Sequence, residues 1–375
     1  MQTEYHGPGS ISNLREIIAR HNGVKLFLIT GKDSFAASGA KSVFDDLHLN
    51  GLEIIRFCDF SVNPRLEDAL PGIELLTQFR PDMVIAVGGG SVIDMGKLIT
   101  ALSAHPGSDY RSILENSSVT VSGPPLVAIP TTAGTGSEVT HFAVAYMDQK
   151  KYSLAHRSIL PDYAIIDPEL MYNTPSYQTA VSGMDALCQA VESYWSVHSN
   201  SQSRKFASQA IKIILASITD AVNKKTIESR QEMAHGANLA GKAIDITTTT
   251  APHAMSYALT THYSIPHGHA VALILGKFFI INEANCESLS DKRGKIHFAR
   301  ILKELYTLFD CRDGYGCADR WYQCMEAIGL ETDISTFGVR EEKDYNLIVE
   351  SVNPERLANH PVRLNRALLS QVFKI

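Results

Sequence analysis

A chain of 375 residues exceeds the size at which a single hydrophobic core usually stops growing, so two domains are expected. Hydrophobic residues make up 45% and charged residues 20%, which lies in the globular range and excludes a disordered or fibrous chain. The formal net charge of -6 comes without any long Lys/Arg run, which argues against nucleic acid and anionic membranes as partners; no apolar stretch suits a spanning helix, and Met1 to Pro8 lacks the pattern of a signal peptide.

Short apolar runs alternate with helical patterns through the first half. Lys25 to Thr30, Leu52 to Phe57, Met83 to Val87, Leu126 to Ile129 and Tyr163 to Ile166 read as strands. Ile11 to His21, Ser34 to Leu47, Leu66 to Phe79 and Val92 to Ser103 carry apolar residues at helical spacing. That alternation predicts a parallel, helix-flanked sheet of Rossmann type. From about Ser176 the pattern changes to long helices, Gln178 to His198, Ser203 to Val222, Glu228 to Lys242 and Ala270 to Ala284, with Thr247 to Thr250 as a turn between helices. The fold expected is therefore an α/β dinucleotide-binding domain over residues 1–172 and an all-helical domain over 173–375. Six cysteines (Cys58, Cys188, Cys286, Cys311, Cys317 and Cys324) form no CxxC pair and read as reduced packing thiols, in keeping with a cytoplasmic protein.

Gly88-Gly89-Gly90-Ser91 follows a predicted strand and opens a helix. Glycines there let the backbone approach a pyrophosphate, while the helix N-terminus offers unpaired N–H groups. The spacing is not the G-x-G-x-x-G of the commonest dinucleotide fold. Ser91 and Asp94 also have the spacing of a capping box, so a purely structural helix start is an equal alternative. A second loop, Pro130-Thr131-Thr132-Ala133-Gly134-Thr135-Gly136-Ser137-Glu138, follows the next strand and is rich in glycine and hydroxyl groups. Such loops at the carboxyl edge of a parallel sheet bind ligands in open α/β folds.

In the helical half, Asp185 and Gln189 are four apart and share a helix face. His253 lies on a later helix and His267 in Ile265-Pro266-His267-Gly268. One carboxylate and two imidazoles suit Fe(II), Zn(II) or another divalent first-row metal. Spacing by itself does not separate these histidines from ordinary hydrogen-bonded ones.

GGGSVID followed by Lys97, PTTAGTGSEVT, GMDAL, and two histidines with thirteen residues between them ending in PHG occur here in the order and separation seen in the iron-containing (group III) alcohol dehydrogenases. The chain resembles that family, whose fold is shared with dehydroquinate synthase, over about residues 1–290. The resemblance implies that Gly88, Gly89, Gly90 and Ser91 hold the cofactor pyrophosphate and that Thr131, Thr132, Thr135 and Ser137 line the cofactor cleft. Asp94, near the nicotinamide side, and Lys151 would join them. It also implies that Asp185, His253 and His267 are metal ligands, with Fe(II) first and Zn(II) or Mn(II) as alternatives.

Three departures stand out. Gln189 occupies the place of a fourth ligand, usually His, and its amide oxygen is a weaker donor. Tyr257 replaces a His four after the first metal-binding His; its phenol could donate a proton, though shaping the pocket is the preferred reading. Gly31, followed by Lys32, lacks the Asp that accepts from the adenosine ribose in NAD-preferring relatives, which leaves NADPH at least as suitable as NADH.

The stretch from Ser256 to His269, with Asp185 to Gln189, is similar to the branch of phosphonate metabolism that reduces phosphonoacetaldehyde to 2-hydroxyethylphosphonate. Lys151, Arg157, His141 and Lys277 are the candidate cations for such a substrate, with Lys151 and Arg157 preferred. Other readings are a general short-chain alcohol dehydrogenase of the lactaldehyde, butanol or 1,3-propanediol type, a dehydroquinate synthase-like cyclase, and a degenerate nucleotide-binding member. The expected partner is a small aldehyde or alcohol, and the expected assembly a homodimer.

Overall fold

The computed structural model describes residues 2–148 and 150–374. Two compact units divide between Thr174 and Pro175.

The first unit holds strands β1 (Thr3–His6), β2 (Lys25–Thr30), β3 (Glu53–Phe57), β4 (Met83–Gly88), β5 (Leu126–Pro130), β6 (Phe142–Met147), β7 (Lys150–Ala155) and β8 (Tyr163–Ile166). Its helices are α1 (Leu14–Arg20), α2 (Ser34–Ala37), α3 (Ala40–Leu49), α4 (Leu66–Phe79), α5 (Gly90–Ser103) and α6 (Tyr110–Asn116). Six strands form a parallel sheet in the order β1-β8-β5-β4-β2-β3. Successive side chains of a strand point to opposite faces, and both faces are covered. Phe27 and Ile29 pack with α4 and α5, whereas Leu26 and Leu28 pack with α1 and α3. That two-sided burial is why β2, β4 and β5 read as nearly continuous apolar runs.

The chain leaves β2 toward β3 at one edge and returns to β4 on the other side of β2. This reversal is a topological switch point, the place where open α/β sheets bind ligands beyond the strand carboxyl ends. Register pairs Thr30 with Val87 and Gly88 with Pro130, so the segments after β2, β4 and β5 emerge side by side. Strands β6 and β7 form a separate antiparallel pair.

The second unit contains α7 (Ser176–Trp195), α8 (Ser201–Asn223), α9 (Ile227–Thr247), α10 (Ala251–Tyr263), α11 (His267–Ala284), α12 (Lys295–Leu308), α13 (Gly314–Ala327), α14 (Glu342–Glu350), α15 (Pro354–Leu357) and α16 (Arg366–Gln371). No strand occurs among its described residues. Helix α7 is the hub: every residue from Thr179 to Trp195 is buried, and α8, α9 and α11 pack around it. Pro252 in the first turn of α10 and Pro266 just before α11 start those helices where a missing N–H costs nothing.

His360 is buried beside the rings of Trp195 and Phe278, with Nε2 donating to Asn282 Oδ1 at 2.8 Å. Nδ1 has no partner among the described residues, and burial pushes the imidazole down to about 3. A histidine depressed below its unfolded value of about 6.5 contributes stability that is full above that pH and is lost as pH falls toward the folded value. The loss is about 1.4 kcal/mol per pH unit in that window. His360→Gln is therefore expected to flatten the decline of Tm below about pH 6.5. Calorimetry of both proteins checks it, and parallel declines would remove His360 as the source.

Candidate cofactor cradle and metal centre

In the first unit, α5 begins at Gly90 directly after β4, and no side chain caps its N-terminus. The capping-box alternative for Ser91 and Asp94 is therefore not what the residues do. Ser91 Oγ accepts from the Asn63 N–H at 3.2 Å, and Asp94 accepts from the Ser137 hydroxyl and from the Val144 N–H at 3.1 Å. Val92 and Ile93 N–H donate to Gly89 O, and no side chain caps the Gly90 and Ser91 N–H groups that open this 14-residue helix, the arrangement that suits a phosphate. A Cβ on Gly90 would lie 2.6 Å from Thr135 Cγ2, so the two loops approach more closely than any side chain allows. Thr131 N–H donates to Gly88 O at 3.0 Å, tying the second loop to the first.

Asp94 and Lys97 have a second task that the motifs do not announce. Lys97, fully buried, donates to the carbonyls of Thr140 and Phe142, each at 2.8 Å, and Asp94 holds Val144. Together they clamp the start of the β6–β7 hairpin to α5. Burial raises the Asp94 carboxyl above its ordinary range, against the opposing pull of Lys97, Ser137, Val144 and Lys151. Lys151, on β7 opposite Tyr146, thus acts electrostatically on Asp94. Arg157 lines a cleft with Lys97, Thr100, Asp162 and the segment from Gly123 to Leu126. His141 makes an edge contact with Phe142. Lys32 pairs with Asp59 at 2.8 Å, and both are exposed. Arg56, which sequence reasoning passed over, donates to Thr30 Oγ1 and to the carbonyls of Gly31 and Lys32, placing a guanidinium at the turn after β2.

In the second unit, Asp185, His253 and His267 each present a ligand atom, and these atoms lie within 4.8 Å of one another. Asp185 comes from the middle of α7, His253 from the first turn of α10 and His267 from the first position of α11. Gln189 lies one turn along α7, with Nε2 3.3 Å from Asp185 Oδ2. Its Oε1 is buried without a partner among the described residues, an orphaned acceptor that a cation would satisfy. The rings of His253 and His267 meet edge to face at 5.3 Å, and Tyr257 stacks on His267 at 5.7 Å.

Glu192, which sequence reasoning missed, completes the cluster. It is fully buried, accepts from the Thr250 N–H at 2.5 Å and hydroxyl at 2.8 Å, and receives His253 Nδ1–H. His253 Nε2 then faces Asp185 Oδ1 at 3.3 Å. The signal was present: Asp185, Gln189 and Glu192 are spaced i, i+4, i+7 along one helix face. Burial by itself lowers the His253 imidazole, but Glu192 and Asp185 outweigh it and push the group up to about 10. Two buried carboxylates thus demand positive charge at His253 and at the gap beyond it. A divalent cation meets that demand with the one-carboxylate, two-imidazole donor set present, so the residues fit such an ion. The nearby Cys188 thiol is pushed well up by burial and by Glu192 and Asp185, which makes it inert. Lys277 sits over the ring of Tyr322 at 4.8 Å, and burial lowers its ammonium.

Residues 2–168 match the family model described as "Iron-containing alcohol dehydrogenase", and residues 179–375 match "Fe-containing alcohol dehydrogenase family, C-terminal". Among curated relatives, long-chain-alcohol dehydrogenase 1 of Geobacillus thermodenitrificans is 30% identical over 98% of this chain and 93% of its own length. The 1,3-propanediol dehydrogenase of Citrobacter freundii is 34% identical over 99% of this chain and 96% of its own. Among solved structures, sulfoacetaldehyde reductase from Bifidobacterium kashiwanohense in complex with NAD+ superposes with a TM-score of 0.87 at 28% identity, covering 100% of this chain and 96% of that one.

Proposed function

The chain belongs to the iron-containing alcohol dehydrogenase family, and within it we propose that the protein reduces a small aldehyde bearing an acidic head group, with phosphonoacetaldehyde to 2-hydroxyethylphosphonate as the specific reaction. The observation that carries the reading is the convergence of Asp185, His253 and His267 beside an orphaned Gln189 oxygen in a chain that also has a phosphate cradle at its sheet switch point. A divalent cation, Fe(II) first, supplies Lewis acidity toward a carbonyl oxygen, and NADH or NADPH supplies the hydride.

The protein's own part is to hold and to protonate. Gly88 to Ser91 and the Thr131 to Ser137 loop would cradle the dinucleotide phosphates, and Asp185, His253, His267 and Gln189 would hold the ion. The Tyr257 hydroxyl accepts from Arg356 Nη1 at 3.1 Å, and its own proton would pass to the developing alkoxide. The balance is aldehyde plus reduced nicotinamide plus one proton, giving primary alcohol and oxidised nicotinamide. The absence of a carboxylate at Gly31 supports use of either dinucleotide. A cytoplasmic homodimer completes the proposal.

Support for an acidic substrate comes from the Ser256 to His269 stretch and from the solved relative named for sulfoacetaldehyde, itself a two-carbon aldehyde with an anionic head. The likeness to 1,3-propanediol dehydrogenase favours a neutral substrate as the second reading. The test is an aldehyde panel with NADH and NADPH, after reconstitution with Fe(II), Zn(II), Mn(II) or no metal. The expected result is metal-dependent turnover with phosphonoacetaldehyde at the highest kcat/KM. Higher kcat/KM for neutral aldehydes would overturn the acidic-substrate reading, and metal-independent turnover would overturn the metal assignment.

A further inference from the structure

Arg356 was invisible at the level of motifs, yet packing of α15 on α10 brings its guanidinium to Tyr257. It lies 5.0 Å over the Tyr257 ring while Nη1 donates to the phenol oxygen at 3.1 Å. The same tyrosine stacks on His267, 5.7 Å away and 16° from parallel. Arg356 is therefore two steps from the metal-binding cluster, with an aromatic ring fixing its position.

The charge has no carboxylate partner among the described residues. Arg356 is only partly exposed, and among the described residues its guanidinium forms no ion pair with a carboxylate and has Tyr257 as its one hydrogen-bond acceptor. Five N–H donors in a rigid fork, one of them used, leave the pattern that matches two oxygens of a carboxylate, sulfonate or phosphonate. A partly desolvated cation without a counter-charge is unfavourable unless a ligand brings one.

We infer that Arg356 is the specificity-determining residue that receives the oxyanion head of the substrate, with Tyr257 holding its guanidinium in place. This assignment rests on the acidic-aldehyde reading above. It also differs from the cations suggested by sequence order, Lys151, Arg157, His141 and Lys277.

The experiment compares wild type, Arg356→Gln and Arg356→Lys on phosphonoacetaldehyde, sulfoacetaldehyde and propionaldehyde, with calorimetric binding of unreactive ethylphosphonate as a second readout. Charged hydrogen bonds of this kind are worth about 10- to 100-fold in binding. Arg356→Gln is expected to raise KM for both anionic aldehydes, and to weaken ethylphosphonate, by about that factor, with the KM for propionaldehyde changed less than about threefold and any effect through Tyr257 falling on kcat of all three. Arg356→Lys should recover part of the loss, more for the dianionic phosphonate than for the sulfonate. If wild type prefers the anionic aldehydes while Arg356→Gln raises KM for all three equally or leaves ethylphosphonate binding unchanged, the Arg356 assignment falls and the substrate reading stands. A wild type that prefers propionaldehyde and binds no ethylphosphonate overturns both.

Discussion

Gly268→Ala should both destabilise the helical unit and loosen its proposed metal centre. A Cβ at Gly268 would stand 2.2 Å from the Val181 carbonyl oxygen, 2.9 Å from Asp185 Cβ and 3.1 Å from Val181 C. Two of those atoms are helix backbone, so no rotamer change relieves the clash, and α11 must move away from α7. Overpacking of this sort costs about 1–3 kcal/mol. The same movement separates His267, at the first position of α11, from Asp185 on α7, whose ligand atoms now lie within 4.8 Å. Metal sites tolerate displacements of only about 0.5 Å, so affinity should fall at least about tenfold. Chelator competition reads the affinity, and melting of the metal-free protein reads the packing cost. Wild-type affinity in the variant would show that α11 can shift without moving His267.

The parts of the fold that were legible are those whose burial is complete on both sides. β2, β4 and β5 read directly because every position but Lys25 is buried. β1 did not, being a four-residue edge strand with exposed ends. Nor did β6 and β7, whose half-buried pattern is weak and whose placement depends on Asp94 and Lys97, reaching across from α5. The predicted helix from Ser34 to Leu47 is broken in two at Gly39, whose φ of 85° lies in the left-handed region. At the proposed metal site, Asp185, His253 and His267, which the fold brings together, were singled out through family motifs, and Glu192 was recoverable from helical spacing. Arg356 was not recoverable: it lies 99 residues beyond Tyr257, and only the packing of a one-turn helix unites them.

Glu192→Gln tests whether the carboxylate behind His253 is part of the metal centre or merely a buried acid. All three groups that face Glu192 are donors: the Thr250 N–H, the Thr250 hydroxyl and His253 Nδ1–H. The Thr250 hydroxyl also accepts from Trp195 Nε1–H at 3.0 Å, and although its second lone pair could take an amide N–H, the Thr250 backbone N–H beside it could not. An amide in place of the carboxylate keeps the volume but turns an NH2 toward one of these donors, and the conflict cannot be resolved by flipping it. His253 then loses the partner that protonates Nδ1 and leaves Nε2 directed at Asp185. Loss of such a supporting partner typically weakens metal binding about 10- to 100-fold, and an unsatisfied buried donor costs a further 1–3 kcal/mol or so of stability. Metal titration against a chelator should show the first effect and thermal melting the second. Trp195 supplies an independent readout, since its indole N–H ends the same chain of hydrogen bonds: its near-ultraviolet signal should change in Glu192→Gln even without metal. A variant that binds metal as tightly as wild type, whatever its stability, would confine Glu192 to a packing role.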